Sequence, residues 1–500
     1  MTLEKITKSA GWSMLEAFGQ VVLSMIGLVV LARILGPKDF GIAMLALAIV
    51  QILNLLIEYL FREAIVQRRD LQPGHLDTAF WTIVGLSIVI VAGCWVGADL
   101  IALPFGDPRL AGLLRGMSVT LIFSAVTGIT IGWLRRQMMF RQIAIGTVCG
   151  RLAGSGTAIA MALSGAGVWS LVGQQIATYV VVALISWHFT QWRPRLRFSI
   201  PQLKELGRFA LPMLASEAIL VGNQRLFYVA VGLLFGPTIL GYFSLAARLT
   251  ETVRDVVGTV THQLTMSIFA QQQADAAQLR QSVYATMRFT SIIVVPVFTG
   301  IALCAPEILT VLFGPTWQPS VPLMRLLAIG SLVGLAFGAV NTALTATGRP
   351  VWRLVKNAVD MAVSIGGLFL LAGFGYVVAG SVLLLRQVFS LPPVLIAGGR
   401  IIGVGMGGIA RSVGPAAIAA IAMTAAVLAV RAFLPGDFGP DEFGMVARLA
   451  LMIATGMVVY PIVLLLVSPD LIGHGRAILA SVRRPPPGSV EPAAEPDASI

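Results

Sequence analysis

Charged side chains are scarce in this chain. Asp, Glu, Lys and Arg together make up 12% of its 500 residues, whereas soluble domains carry about 25%. Hydrophobic residues make up 57%, and the mean hydropathy is +0.87. The scarcity of charge excludes a soluble globular protein and predicts a polytopic membrane protein.

Cysteine is nearly absent too. The three cysteines, Cys94, Cys149 and Cys304, each lie inside an apolar run. They are too few and too scattered for a disulfide framework or a metal cluster, so we interpret them as small core residues. The histidines are also dispersed, and we expect neither a metal nor a cofactor.

Two further absences narrow the function. The sequence contains no Gly-Lys-Ser/Thr phosphate loop, which argues against a nucleotide-driven pump or a kinase. It also contains no loop long enough to fold as a separate domain. The formal net charge of +12 could suggest a nucleic-acid ligand, but the basic residues lie in short loops, where anionic lipid and membrane topology explain them. We therefore expect no nucleic-acid partner.

Long apolar runs are abundant. A helix needs about 20 apolar residues to cross a bilayer, and we predict an all-α protein with about fourteen such helices. The first run is too long for the apolar part of a signal peptide, so we interpret it as a retained helix. The predicted spans are 11–35, 41–61, 79–103, 110–133, 143–164, 168–190, 207–234, 238–264, 284–312, 322–346, 352–373, 376–399, 412–433 and 445–467.

The distribution of Lys and Arg predicts the orientation, because short loops rich in these residues stay in the cytoplasm. Basic loops alternate with loops poor in Lys and Arg along the whole chain. The last loop on the poor side, residues 434–444, is acidic. Both termini are therefore predicted to be cytoplasmic, which agrees with an even number of helices.

An internal repeat organises the chain. Residues 35–41, Leu-Gly-Pro-Lys-Asp-Phe-Gly, align with residues 235–241, Phe-Gly-Pro-Thr-Ile-Leu-Gly. Three matches in the same order, about 200 residues apart, predict a duplication into two six-helix lobes that share one orientation. Parallel repeats place the substrate site between the lobes. The two other matches pair 105–106 with 313–314, and 165–167 with 373–375.

The repeat predicts the division of the chain. The linker between the lobes is either a connector whose charge obeys the topology rule, or an interfacial segment that contacts anionic headgroups and acts as a hinge. The tail is rich in Pro and Ala and is predicted to be disordered. The divisions are 1–190 for the N-terminal lobe, 191–206 for the linker, 207–400 for the C-terminal lobe, 401–482 for helices 13 and 14, and 483–500 for the tail.

One predicted span, 238–264, carries charges in its middle. Arg248, Glu251 and Asp255 share one face of a helix, and Arg254 borders it. A charge at the bilayer centre costs roughly 2.5–3.5 kcal/mol, so four facing lipid would oppose insertion by roughly 10–14 kcal/mol. This face must therefore contact protein or water. Two interpretations stay open: the charges line a functional cavity, or they pair with one another for structure alone.

Short motifs occur along nearly all of the helical region. They are ARILGPKDFG (32–41), AIVQRRDL (64–71), DTAFW (77–81), FGDPRL (105–110), GAGVWSLV (165–172), WRPRLRFS (192–199), GPTILGYFSLAARL (236–249) and FGPTWQPSVPLMRLL (313–327). Together they resemble the polysaccharide export family of Wzx-type oligosaccharide flippases, especially its exopolysaccharide and colanic-acid branch. None of them is a catalytic signature, and they specify the family better than its substrate.

The resemblance implies a fold and an activity. Members of this family look like multidrug and toxic compound extrusion transporters and lipid II flippases in fold. They move undecaprenyl-diphosphate-linked oligosaccharides across the inner membrane, so membrane lipids and polysaccharide polymerase or export machinery are implied partners. The chain departs from the family pattern in helix 7, where Phe227 replaces a frequent Asp and Arg225 lies two residues earlier. This departure removes the Asp through which ion coupling would be expected.

A lipid-linked diphosphate needs a wet, partly cationic cavity, because guanidinium groups bind phosphate oxygens bidentately. Arg225 and Arg248 are the leading candidates for this contact. For Arg151 and other charges near span ends, the alternative to lining the cavity is that the side chain snorkels to the interface or forms a cytoplasmic ion pair. The other predicted substrate-binding residues are Asn223, Gln224, Glu251, Arg254 and Asp255. The candidate coupling carboxylates are Glu16, Glu58, Glu217 and Asp360. Arg386 adds a further ionisable group within a span.

Rival classes make different demands on the sequence. A membrane polymerase or ligase acting on the same lipid-linked sugars would carry a large periplasmic loop with catalytic groups. Every predicted periplasmic loop is short, so we predict that the protein is not an enzyme. A cation-coupled antiporter of drugs or other small molecules, built on the same fold, is the alternative that stays open.

Overall fold

The computed structural model describes residues 3–68, 70–273, 275–348, 351–433 and 442–469. Every regular element in these ranges is helical, which confirms the all-α prediction. The predicted disordered tail, 483–500, lies outside them. The α-helices are α1 (Leu3–Glu58), α2 (Arg62–Gln67), α3 (Pro73–Ala102), α4 (Arg109–Ser118), α5 (Thr120–Arg136), α6 (Phe140–Leu163), α7 (Trp169–Phe189), α8 (Ile200–Gln271), α9 (Ala276–Leu303), α10 (Ala305–Phe313), α11 (Val321–Ala336), α12 (Gly338–Ala346), α13 (Val351–Met361), α14 (Gly367–Leu371), α15 (Val378–Ile401), α16 (Met406–Phe433) and α17 (Glu442–Val467).

Twelve helical segments of the described chain are long and apolar enough to cross a membrane. They establish a polytopic membrane protein, but they do not confirm the predicted number of fourteen helices. Two of the twelve are much longer than the roughly 20 residues that a bilayer needs. Ser24–Gln67 has 44 residues and Val221–Gly258 has 38. Each contains a sharp break at the junction of two predicted spans.

The breaks lie at Gly36 in α1 and at Gly236 in α8. Their backbone angles are φ 71° and ψ 173°, and φ 82° and ψ 172°, a region open essentially to glycine alone. The next residue is Pro37 or Pro237, which lacks a backbone N–H and favours the first turn of a new helix. The matching Gly-Pro sequences therefore end one helical stretch and start another at equivalent places in the two halves of the chain.

The two Gly-Pro turns also contact each other. A Cβ atom on Gly41 would collide with the carbonyl oxygen of Pro237, and a Cβ atom on Gly241 would collide with that of Pro37. Each glycine follows its own proline by four residues, so the contact is reciprocal. Glycine permits this approach because it lacks a Cβ atom. The first turns after the two breaks therefore pack backbone against backbone.

Trp317 and Arg33 join the two halves close to these turns. Trp317 is fully buried, donates from Nε1 to the carbonyl oxygen of Ala32 at 3.2 Å, and meets the Phe40 ring edge-on at 5.7 Å. The Arg33 guanidinium donates to the last carbonyl oxygens of α10, where a helix end lacks partners and favours a cation. The halves are thus closed on each other at the ends that the sequence predicts to be periplasmic.

The linker is fixed to the first half of the chain. Asp77 is 1% exposed and accepts hydrogen bonds from Trp192 Nε1 and from the backbone N of Arg195, both at 3.1 Å. Trp81 Nε1 donates to the carbonyl oxygen of Arg195 at 2.8 Å. The motifs DTAFW and WRPRLRFS, which are far apart in sequence, therefore bind each other.

The start of α8 is held by the same half. The Glu205 carboxylate accepts from Arg68 at 2.5 Å and lies 3.3 Å from His75 Nε2. The hydrogen bond from Arg68, and to a smaller extent the one from His75, holds the pKa of the Glu205 carboxyl below its ordinary value. The chain up to Glu205 is therefore attached to the first half, although α8 itself continues into the second.

Replacing Asp77 with Ala is expected to release the linker. Trp192 Nε1 and the Arg195 N–H would lose their acceptor, and a buried donor without a partner costs about 1–3 kcal/mol. Amide hydrogen exchange of residues 192–199 should become faster, while exchange within α9, which lies elsewhere, should stay the same. Unchanged protection of 192–199 would show that Asp77 does not hold the linker.

The last two described helices are attached through one buried carboxylate. Glu307 at the start of α10 is 6% exposed and lies 3.2 Å from Arg431 of α16 and 3.8 Å from Arg448 of α17. The Tyr460 hydroxyl of α17 donates to the carbonyl oxygen of Ile292 in α9 at 3.1 Å. α16 and α17 thus pack on the side of the second half that carries α9 and α10.

Candidate functional site

The charged residues in the middle of the predicted span 238–264, which is part of α8, lie in two different environments. Arg248 is exposed and points to the first half of the molecule, where its Nη2 donates to Ser24 Oγ at 2.8 Å. Glu251 and Arg254 instead line a cavity inside the second half. The sequence placed these charges on one face and left open that they pair with one another. In the structure Glu251 is hydrogen-bonded to Gln224 Nε2 at 2.7 Å, and Arg254 pairs with Asp255 at 3.4 Å.

The cavity around Glu251 has a volume of about 200 Å³. α8 supplies one wall from both sides of its break, and α11, α15 and the turn before α14 supply the others. Four predicted site residues, Asn223, Gln224, Glu251 and Arg254, line it. The remaining lining residues are Phe227, Tyr228, Phe243, Thr250, Leu326, Leu327, Gly330, Ser331, Ser364, Leu383, Arg386 and Gln387.

A second cavity of about 260 Å³ adjoins the first and shares Arg254, Ser331 and Gln387 with it. Lys356 lines this second cavity and pairs with Asp360 at 2.5 Å. The two cavities therefore form one polar region within the second half. Its lining contains three cationic side chains and two carboxylates if Asp360 is included.

Several polar atoms in this region are buried without a hydrogen-bond partner among the described residues. They include Asn223 Oδ1, Arg225 Nε, Asn341 Oδ1, Asp360 Oδ1, Ser364 Oγ and Arg386 Nε. A buried polar group without a partner is costly, about 1–3 kcal/mol, and native structures contain few of them. Other buried polar atoms of this kind lie elsewhere in the described chain, for example at Gln51 and Thr290.

Arg225 lies on α8 before the break and is half-buried. Its charge interacts with Glu251, but no hydrogen bond to its side chain is present in the described part of the chain. Arg225 and the charges that follow the break therefore interact across it. Arg225 does not line either cavity, so it belongs to the wall rather than to the interior.

The first half contains its own polar network. Glu58 pairs with Arg62 at 2.7 Å and accepts from Asn54 Nδ2 at 2.9 Å. Asn54 also approaches the Tyr179 hydroxyl at 3.3 Å, and the Arg62 guanidinium lies 4.4 Å from the centre of the Tyr59 ring. Glu58 therefore has an ion-pair partner within its own half.

The other candidate carboxylates are less engaged with the cavities. Glu217 is half-buried and interacts electrostatically with Tyr59 across the two halves. The side chain of Glu16 lies outside the residues whose side chains the structure describes. Among the described residues no cluster of His, Cys, Asp or Glu has the composition of a metal site.

Sequence reasoning missed the position of Arg151. This residue of α6 is half-buried, and the like charge of Arg248 acts on it. Helix packing places Arg151 at about the same depth as Ser24. α6 meets α1 where a Cβ on Gly27 would lie 3.4 Å from Ser155 Oγ. Ser24 lies one turn from Gly27, and Arg151 lies one turn from Ser155. No carboxylate contacts Arg151 among the described side chains. Its place near a predicted span end gave no indication of this interaction.

Arg386 and Gln387 of α15 complete the cavity and were not predicted as site residues. The α8 residues that share the cavity with them lie more than 130 residues earlier in the chain. Only the intramembrane charge of Arg386 gave a signal, because a charge in a span is functional or paired by default. Gln387, whose side chain packs 2.8 Å from the Cβ position of Gly334, gave none.

Residues 30–322 match the family described as polysaccharide biosynthesis protein. The chain is 27% identical over 324 residues to the succinoglycan biosynthesis transport protein ExoT of Rhizobium meliloti, covering 65% of this chain and 66%, just under two thirds, of that protein. It is 24% identical over 352 residues to the lipopolysaccharide biosynthesis protein WzxC of Escherichia coli, covering 69% of this chain and 71% of that protein.

Solved structures show the same fold. The lipid II flippase MurJ in an inward closed conformation superposes with a TM-score of 0.75 at 11% identity, covering 92% of this chain and 99% of that chain. An inward-facing multidrug resistance MATE family transporter superposes with a TM-score of 0.60 at 16% identity, covering 77% and 94%. At such identities the likeness concerns the fold alone.

Proposed function

Because the chain belongs to the polysaccharide biosynthesis protein family, we propose that it flips undecaprenyl-diphosphate-linked oligosaccharide repeat units across the bacterial inner membrane. The product would serve exopolysaccharide or lipopolysaccharide biosynthesis, as the names of its relatives suggest. Both termini would lie in the cytoplasm, in agreement with the distribution of Lys and Arg. Polysaccharide polymerase or export machinery would be the protein partners.

One observation carries this proposal: the guanidinium groups of Arg151 and Arg248 act on each other where the two halves meet, and neither has a carboxylate partner among the described residues. Arg248 donates to a serine, the charge of Arg248 acts on Arg151, and Arg225 has a buried Nε without a partner among the described residues. Two like charges close together in a membrane repel each other. A diphosphate would relieve this repulsion, because each guanidinium can hold two phosphate oxygens through parallel N–H donors.

No bond is broken in this process, so the residues act by binding and orientation. Arg248 and Arg225 would hold the diphosphate, with Asn223, Gln224, Glu251, Arg254 and Asp255 on the adjoining polar wall. The lipid tail would stay in the bilayer while the glycan crosses a wet space between the halves.

We further propose that transport proceeds by alternating access of two lobes, 1–190 and 207–400, with 401–482 as an attached pair of helices. Support comes from the reciprocal packing of the Gly-Pro turns, because a duplicated chain repeats its contacts about one axis. The contacts of Trp317 and Arg33 close the predicted periplasmic side. Opening that side would require these contacts to break.

A return step needs a coupling group, and Asp360 is the candidate that the structure supports best. One of its oxygens pairs with Lys356, whereas the other is buried without a hydrogen-bond partner in the described chain. Arg386 interacts with both Asp360 and Glu251. A proton or cation arriving at either carboxylate would therefore redistribute the ion pairs of the whole polar region.

The alternative is a cation-coupled drug antiporter, which the MATE-like fold and the buried carboxylates favour. The charges at the junction of the halves argue against it, because Arg151, Arg225 and Arg248 would repel a cationic drug. A deletion strain separates the two functions. Flipping predicts loss of surface polysaccharide and accumulation of undecaprenyl-diphosphate-linked repeat units on the cytoplasmic side. Normal polysaccharide together with increased sensitivity to cationic dyes would support the antiporter.

A further inference from the structure

The linker presents an exposed surface that the transport mechanism does not use. We name Arg195, Leu196, Arg197, Phe198 and Ile200 the linker surface. Leu196 is 90% exposed, Phe198 58% and Ile200 59%. Arg195 and Arg197 are exposed as well, and their side chains make no hydrogen bond or ion pair within the described residues. Cationic and large apolar side chains thus alternate on one short segment.

This segment cannot hide its apolar side chains by folding back. Asp77 and Trp81 hold the backbone of Arg195 through hydrogen bonds of 3.1 and 2.8 Å, and Ser199 N donates to Thr78 Oγ1 at 3.2 Å. The side chains between these fixed points therefore stay exposed. Exposed apolar area costs roughly 25 cal/mol per Å² in water, so the arrangement favours an apolar boundary over bulk water.

The position of the segment identifies that boundary. It lies a few residues after the end of α7 at Phe189. Trp192, which precedes the linker surface, packs against Phe80 with ring centres 5.8 Å apart. The Arg193 guanidinium covers the Trp187 ring at 5.4 Å. Tryptophan and arginine at the end of a span mark the level of the lipid headgroups. The topology rule alone would require the positive charge, but not the three exposed apolar side chains.

We propose that the linker surface binds anionic phospholipid headgroups at the cytoplasmic face of the membrane. Arg195 and Arg197 contact the lipid phosphates, and Leu196, Phe198 and Ile200 enter the boundary between headgroups and acyl chains. The occupant is a lipid because exposed cationic and exposed apolar side chains occur together on one short segment. The contact anchors the first half of the molecule and is independent of the transported substrate.

The test measures phosphatidylglycerol binding to the purified full-length protein in detergent by native mass spectrometry, with phosphatidylcholine as the neutral lipid. The variant Arg195→Gln/Arg197→Gln is compared with Arg400→Gln/Arg411→Gln, which removes the same charge from exposed positions on the same predicted face. The linker variant should bind phosphatidylglycerol roughly thirtyfold more weakly, and the control variant should bind nearly as the original protein does. An equal loss in both variants would overturn the proposal, because it would show a general effect of charge.

A second variant tests the apolar contribution. Leu196→Ser/Phe198→Ser keeps both arginines and should still lose several-fold in affinity for phosphatidylglycerol and for phosphatidylcholine alike. Folding is checked by thermal unfolding, which should not change because these side chains are exposed and their backbone bonds remain. Undiminished binding by this variant would contradict insertion at the lipid boundary.

Discussion

Replacing Arg248 with Ala should reduce polysaccharide export roughly thirtyfold or more, while the protein still inserts and accumulates normally. The expected loss corresponds to about 2 kcal/mol, the contribution of a hydrogen bond to a charged group. Stability should be preserved because the Arg248 side chain is exposed and donates one hydrogen bond, to Ser24, among the described residues. Export is measured as surface polysaccharide in a complemented deletion strain, and abundance by immunoblotting of membranes.

The matched control for this variant is Ser24→Ala. It removes the acceptor that Arg248 has among the described residues but leaves the guanidinium free for a diphosphate, so export should stay close to normal. Arg248→Lys should fall between the two, because an ammonium keeps the charge but cannot form the bidentate contact. Equal loss of export in Ser24→Ala and Arg248→Ala would mean that the contact between the halves matters rather than the charge. Loss of protein from the membrane would indicate a structural role for Arg248.

Placing a methyl group at the crossing of the Gly-Pro turns is expected to destabilise the fold. Gly41→Ala and Gly241→Ala would each drive a Cβ atom into the backbone of the opposite turn. Overpacking of this kind costs roughly 1–3 kcal/mol, and a backbone cannot move aside as a flexible side chain can. The unfolding temperature of the purified protein in detergent should fall, and export should fall with it.

The control for this prediction is a glycine-to-alanine replacement that should not lower the unfolding temperature. A Cβ atom on Gly85 of α3 meets no atom within 4 Å, and alanine favours a helix over glycine by about 0.8–1 kcal/mol. Gly85→Ala should therefore leave the unfolding temperature unchanged or raise it slightly. If Gly41→Ala and Gly241→Ala behave like Gly85→Ala, the backbone contact between the turns does not stabilise the protein.

The fold was largely predictable because two signals in the sequence are strong. Apolar runs of bilayer length give the helices, and the Gly-Pro repeat gives the equivalent breaks at Gly36 and Gly236. The number of helices was harder to establish, since the chain continues through each break. In the structure Ser24–Gln67 and Val221–Gly258 each form one long helical segment.

The site was predictable only in part. Helical periodicity places Arg248, Glu251 and Asp255 on a common face, but it does not say which neighbours that face meets. Tertiary packing sends Arg248 to the first half and Glu251 into a cavity of the second half. The partners Arg151 and Arg386 come from distant helices, and nothing in their local sequence indicates the contact.

The purified protein in vesicles that contain undecaprenyl-diphosphate-linked oligosaccharide tests the flippase function most directly. A glycan-modifying enzyme added outside reaches only the outer leaflet, so it modifies about half of the substrate in protein-free vesicles. With the protein present, nearly all of the oligosaccharide should become accessible, and the Arg248→Ala variant should leave the inner half protected. Continued protection with the original protein, together with gradient-driven movement of cationic dyes, would contradict the flippase function.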